Sequence, residues 1–199
     1  MAYAVTSPTP TRPSAPALSE VVSLPDATTI MVRPIELSDA FRLRRMFERL
    51  SPETVYHRFF APIPQPRDAM LMHLARVDHG RREALVAVVG SDVIGLAQYE
   101  GHAGSDEAEV AVTVEDAWQG RGVGTALLAR LARLGARRGL RAFTAVVMGE
   151  NTGAVRFLKR LSPATEIQLE KGDWTIYAPL ERRGRPAAGH PETRSTVKS

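Results

Sequence analysis

Seven consecutive residues, Gln119-Gly120-Arg121-Gly122-Val123-Gly124-Thr125, carry the plainest chemistry in the chain. Three glycines alternate with other residues immediately before a long apolar-periodic segment, so successive backbone N–H groups can face outward with little side-chain bulk. If that segment is a helix, its N-terminus adds the positive end of a dipole, and the combination suits an anion such as a pyrophosphate. Arg121 would add a mobile positive charge. Two other phosphate binders do not fit. The Gly-Lys-Ser/Thr ending of a Walker A loop is missing. A dinucleotide fingerprint needs G-x-G-x-x-G and an acid about 20 residues further on, whereas here the glycines fall at 120, 122 and 124 and the nearest strand-end acid, Glu150, comes late.

Such a loop needs a strand to deliver it and a helix to receive it, and the pattern supplies both. Residues 107–114 alternate, with Val110, Val112 and Val114 on one face and Glu109, Ala111 and Thr113 on the other, which predicts a strand. Beyond the loop, Val123, Leu127, Leu131 and Leu134 form an apolar stripe at helical spacing, stopped at Gly139. A strand over 141–148 and a helix over 151–161 follow, and strands over 165–169 and 174–178 close around Lys171-Gly172-Asp173.

Upstream, the β-branched run 28–33 ends at Pro34 and predicts a first strand. Ser38 or Asp39 can cap a helix through Leu50, whose Arg42, Arg44, Arg45 and Arg49 read as a solvated face. Ser51, Pro52 and Glu53 have the order of a cap, a first-turn proline and a first-turn acid for a helix through Phe60, and a third helix is expected near 68–76. Phe59 and Phe60 are expected in the core, and Trp118 beneath the loop. Strands over 83–89 and 92–99 flank Gly90-Ser91 in a hairpin, so an antiparallel meander precedes the loop and the fold class is mixed α/β.

Composition narrows the function classes. The chain has no cysteine, which excludes disulfides, a thiol nucleophile and a cysteine-based zinc site. Its five histidines show no metal-ligand spacing, and no metal is expected. No stretch reaches the roughly 18 apolar residues of a membrane span and the N-terminus lacks a secretory pattern, so the expected location is the cytoplasm. The net charge of +4 invites a nucleic-acid reading, but Arg182, Arg183, Arg185, Arg194 and Lys198 concentrate much of the excess after the last expected strand. Residues 1–27, rich in Pro, Ser, Thr and Ala, read as a disordered leader, 28–180 as one folded domain, and 181–199 as a disordered basic tail.

Taken together, Q-G-R-G-V-G-T in its strand-helix setting resembles the acyl-CoA loop of the GNAT superfamily of N-acyltransferases, over roughly residues 28–180. The segment Leu50-Ser-Pro-Glu-Thr-Val-Tyr-His-Arg-Phe-Phe60 is similar to GNAT domains related to bacterial protein-lysine acetyltransferases. The resemblance implies a mixed, mostly antiparallel sheet flanked by helices, with a V-shaped split between two parallel central strands, 107–114 and 141–148. It implies acetyl-CoA as cosubstrate, with its pyrophosphate on Gln119, Gly120, Arg121, Gly122, Val123, Gly124 and Thr125. Pantetheine would lie along the backbone of Val112 and Val114, and Asn151 would touch the cofactor. Glu109 matches the position of a glutamate general base, needed because an amine of pKa near 10.4 is mostly protonated at neutral pH. Val112 N–H would polarise the thioester carbonyl. Many relatives place a tyrosine where this chain has Phe157, leaving Tyr177 or Ser162 as substitutes for a general acid. The acceptor is expected to be a protein lysine or small amine, the assembly a monomer or homodimer. The alternative is a non-catalytic acyl-CoA-sensing or interaction module.

Overall fold

Strand β2 (Thr29–Pro34) alternates buried and exposed residues and is the first long strand of an eight-stranded sheet in the computed structural model, which describes residues 19–161 and 164–181. Its edge partner β1 (Glu20–Ser23) lies within the stretch expected as a disordered leader, and that part of the expectation is corrected, because Glu20–Ser23 pairs antiparallel with Thr29–Val32. A four-residue strand has no local pattern to show, and cross-strand pairing is what stabilises it. The expected tail from residue 182 onward and Ser162 lie outside the described residues.

The remaining strands are β3 (Arg82–Val89), β4 (Asp92–Gly101), β5 (Glu107–Val114), β6 (Ala142–Val147), β7 (Glu166–Glu170) and β8 (Asp173–Pro179), in the order β1-β2-β3-β4-β5-β6-β8-β7. Every neighbouring pair is antiparallel except β5 and β6, which run parallel. The hairpins follow from their turns: Gly90 and Gly172 take positive φ between β3 and β4 and between β7 and β8.

Each face of the sheet carries its own helices. On one, α1 (Ala40–Glu48), α2 (Pro52–Phe59) and α3 (Asp68–Ala75) bury Leu43, Met46, Phe47, Val55, Leu71 and Leu74 against Val86, Val93 and Leu96. On the other, α4 (Val123–Arg137) lays the stripe Val123, Leu127, Leu128 and Leu131 on Val32, Leu85, Ile94 and Phe143. Helix α5 (Thr152–Leu161) covers the β6–β8 wing through Val155. No helix among the described residues is long and apolar enough to cross a membrane.

Two local expectations change. Asp39 does not cap α1 with its side chain; it is fully buried and accepts from Arg33 (Nη1–Oδ2 2.6 Å, Nη2–Oδ1 2.7 Å), Arg42 (2.8 Å) and the Glu36 N–H (2.9 Å). Burial alone would raise its pKa, but these donors outweigh burial and hold it below the usual carboxylate range. The arginine face of α1 is correspondingly paired rather than merely solvated: Arg44 with Asp68, Arg45 with Asp92 (2.6 Å) and Arg49 with Glu115 (2.9 Å).

Candidate active site

Strands β5 and β6 pair only at Glu107–Ala142, Ala108–Phe143 and Glu109–Thr144. Beyond those three pairs they diverge, and a cleft of about 780 Å³ occupies the gap. The register of β4 and β5 decides what faces it. Glu115 N–H donates to Ile94 O (2.9 Å), and hydrogen-bonded pairs alternate along an antiparallel ladder. The main-chain groups of Val110, Val112 and Val114 therefore point away from β4, into the space β6 has left.

The loop closes one end of this cleft. Gly120 and Gly122 take φ of +71° and +97°, a left-handed backbone that a Cβ would strain. At Gly122 a Cβ would also come within 3.0 Å of Pro25 Cδ, so the hairpin tip between β1 and β2 is seated against the loop. Helix α4 begins at the next residue with no side-chain cap, and Gly124 and Thr125 of its first turn line the cleft. At Gly124 a Cβ would lie 3.3 Å from Phe157 Cζ, so glycine lets α5 approach the start of α4.

Of the residues expected to act as base or to bind acetyl-CoA, Glu109, Val112, Val114, Gln119, Gly120, Gly122, Gly124, Thr125 and Asn151 line this one cleft. Two do not. The Arg121 side chain turns away from it, donating to Asp26 (Nε–Oδ2 2.7 Å) and Thr28 (2.9 Å), with its guanidinium 4.1 Å from the centre of the Trp118 ring. Asp26 is held down to about 2 by the Thr28 N–H and by Arg121. Val123 is buried in the core, where its side chain begins the α4 stripe. The side chain of Gln119 donates to Val114 O (3.1 Å) and to Thr54 Oγ1 (3.2 Å). Asn151 Oδ1 accepts from Ala154 N–H (3.0 Å) and so caps α5 at the cleft's edge.

Glu109 occupies the last parallel pair, at the point where the strands part. It is exposed, and its carboxylate makes no hydrogen bond or ion pair among the described residues. Tyr177 of β8, by contrast, pairs with Thr144 of β6 and does not line the cleft. Phe157 does line it, at the position where the resemblance implies a tyrosine.

The sequence marks the helix through Phe60 but not its place as the opposite wall. Thr54, His57, Arg58, Phe59 and Phe60 bring α2 over the cleft. Phe59 also packs on Phe47 (centroids 5.6 Å apart), whereas Phe60, expected in the core, is 42% exposed with φ +55° at the end of α2. Ser51 caps α2 by accepting from Thr54 N–H (3.1 Å), and Ser51 and Thr54 both donate to Asp116 (2.7 and 2.8 Å), which fastens this wall to the segment ahead of the loop. A capped helix after Pro52 is visible in the sequence; its partner Asp116 lies over 60 residues away.

The acetyltransferase (GNAT) family model matches residues 43–162. An acetyltransferase from Pseudomonas aeruginosa is 32% identical over 135 residues, which are 66% of this chain and 73% of that protein. The crystal structure of the GNAT domain of S. lividans PAT aligns with a TM-score of 0.77 at 34% identity, covering 81% of this chain and 97% of that one. At 20% identity the fold is shared with a GNAT superfamily phosphinothricin acetyltransferase from Sinorhizobium meliloti in complex with AcCoA (TM-score 0.63; 83% and 98% covered).

Proposed function

We propose, because the chain belongs to the acetyltransferase (GNAT) family and is an acyl-CoA-dependent N-acetyltransferase, that it moves an acetyl group from acetyl-CoA to a primary amine with Glu109 as general base. The observation that carries this reading is the coincidence of three features in one cleft: a glycine loop at a helix N-terminus, a strand edge with free main-chain groups, and an unpaired carboxylate where the two strands part.

The cosubstrate supplies the thioester, and the residues fit it. The loop backbone at 120–125 and the N-terminus of α4 would receive the pyrophosphate. Val112 C=O and Val114 N–H, directed into the split, would pair with the amide-bearing pantetheine as a neighbouring strand would, which keeps the Val112 N–H for the thioester carbonyl. Val114 C=O is already occupied by Gln119, which leaves only its N–H for that pairing. Asn151 borders the same arm.

The amine nitrogen attacks the thioester carbon, and its proton passes to Glu109, through water where the gap requires one. Val112 N–H faces the developing oxyanion. The C–S bond then breaks and coenzyme A leaves as a thiolate. Because a thiol has a pKa near 8.5, the thiolate is a competent leaving group without a tyrosine, which makes Phe157 compatible with turnover. A thiol-release assay with wild type and Glu109→Gln, beside calorimetric titration of acetyl-CoA, tests the proposal. The variant should lose about 10²-fold or more in kcat while binding acetyl-CoA normally. Equal rates would remove Glu109 from the chemistry, and no acetyl-CoA binding at submillimolar concentration would end the whole reading.

A further inference from the structure

A second cavity, of about 180 Å³, adjoins the cleft and shares Arg58, Glu109, Val110 and Ala111 with it. Glu109 thus stands on the wall between the two. The smaller space lies on the α1–α3 face of the sheet, where Gln98 and Glu100 of β4 stand beside Ala111 and Glu109 of β5 in register, and His102 completes its rim. Its size is below that of pockets that enclose drug-sized molecules, so it suits a small group.

Two groups in this cavity have unmet hydrogen-bonding needs of opposite kind. Gln98 Oε1 is buried and accepts from nothing. The Arg58 guanidinium is half-buried and makes no hydrogen bond or ion pair among the described residues; its one close partner is the face of the Phe59 ring, 4.8 Å away. Burial holds Arg58 below its ordinary pKa against the pull of Glu109, as expected for a cation partly stripped of water and not compensated by a contact. A buried acceptor and a part-buried donor left unmade each carry a cost, and the pair do not satisfy each other. Glu100 is engaged elsewhere, with Arg82 at 3.4 Å. A ligand offering an N–H donor and an anionic oxygen a short distance apart would satisfy both.

We infer that this cavity is the acceptor subsite and that it selects a small molecule bearing a primary amine and a carboxylate, with the amine between Gln98 Oε1 and Glu109 and the carboxylate on Arg58. The inference rests on the acetyl transfer proposed above and adds the acceptor's class. Charge-assisted, often bidentate contacts are where arginine discriminates most, and a site built for such a contact penalises a ligand that lacks it.

The test is a thiol-release panel that pairs free amino acids with the amines lacking their α-carboxylate, and adds a lysine peptide blocked at both ends. At least one carboxylated acceptor should exceed its counterpart by about 10- to 100-fold in kcat/KM. Arg58→Gln should bring that ratio to about one by slowing only the carboxylated member, while Arg58→Lys restores part of it. Melting curves and acetyl-CoA titrations on the same preparations establish that the variants are folded. The inference is overturned by equal rates within each pair, by a preference that survives Arg58→Gln, by a blocked peptide that outpaces every amino acid, or by an Arg58→Gln loss equal for all amines, which would assign Arg58 to the thioester. Absence of acetyl-CoA binding would instead overturn the parent reading and this one with it; binding without the preference overturns this one alone.

Discussion

The two helical layers that enclose the sheet are fastened in different ways. Helix α4 is held chiefly by a continuous apolar stripe, with Arg130 on Glu20 and Arg138 on buried Glu83 (2.6 Å) as its ion pairs, and the loop ahead of it works mainly through backbone. The α1–α3 layer has an apolar underside too, but charged side chains lock its position: Asp39 on Arg33 and Arg42, Arg45 on Asp92, Arg49 on Glu115, and Asp116 on Ser51 and Thr54. On the proposed function, the donor side therefore rests mainly on apolar packing and backbone geometry. The acceptor side depends on particular side chains brought from far apart in the chain.

That contrast breaks most readily at Asp39. Asp39→Ala leaves Arg33 and Arg42 without their shared anion and should cost about 3–5 kcal/mol of stability, measured by denaturant unfolding at neutral pH. The sign with pH follows from the depressed pKa: the contribution is complete above the unfolded carboxylate value, near 3.9, and disappears as pH falls through the folded value. The gap between wild type and variant should accordingly narrow below about pH 4; a constant gap would mean that packing, not charge, fixes α1.

On the donor side the strongest lesion should be Gly122→Val, which combines a left-handed φ with a collision at Pro25. Acetyl-CoA affinity should fall about tenfold, read by calorimetry, with the amine KM nearly unchanged. A variant that instead lost amine selectivity would show that the two sides are not separable. The smallest effect is expected at Asp26→Asn, which frees Arg121 on an exposed ion pair: acetyl-CoA KM should rise about two- to fivefold with kcat preserved. A lowered KM would mean that Arg121, once released, turns to the phosphates.

The same contrast explains what the sequence made visible. The loop, its flanking strand and helix, and the Glu109 position are contiguous, so period and glycine spacing expose them. Strand β1 escaped because four residues amid prolines take their stability from β2. Arg121 could be seen as a cation near the loop, but its partner Asp26 lies 95 residues away, and no local pattern links them. Arg42, Arg44, Arg45 and Arg49 have the spacing of a solvated helix face, and only tertiary structure supplies the acids that pair with them. Arg58 falls in the Leu50–Phe60 segment, but nothing in the sequence links it to Gln98: one sits on a short helix and the other in a β-meander, and they meet in one cavity only because α2 packs against β5.

Because β5 and β6 hold hands over so short a stretch, the protein's largest structural unit is left with a notch whose rim can still take up a peptide-like edge. An occupant with such an edge would complete the hydrogen-bonded fabric of the sheet as well as react within it. Its arrival should make the whole molecule harder to melt, with a midpoint that climbs as more of it is supplied.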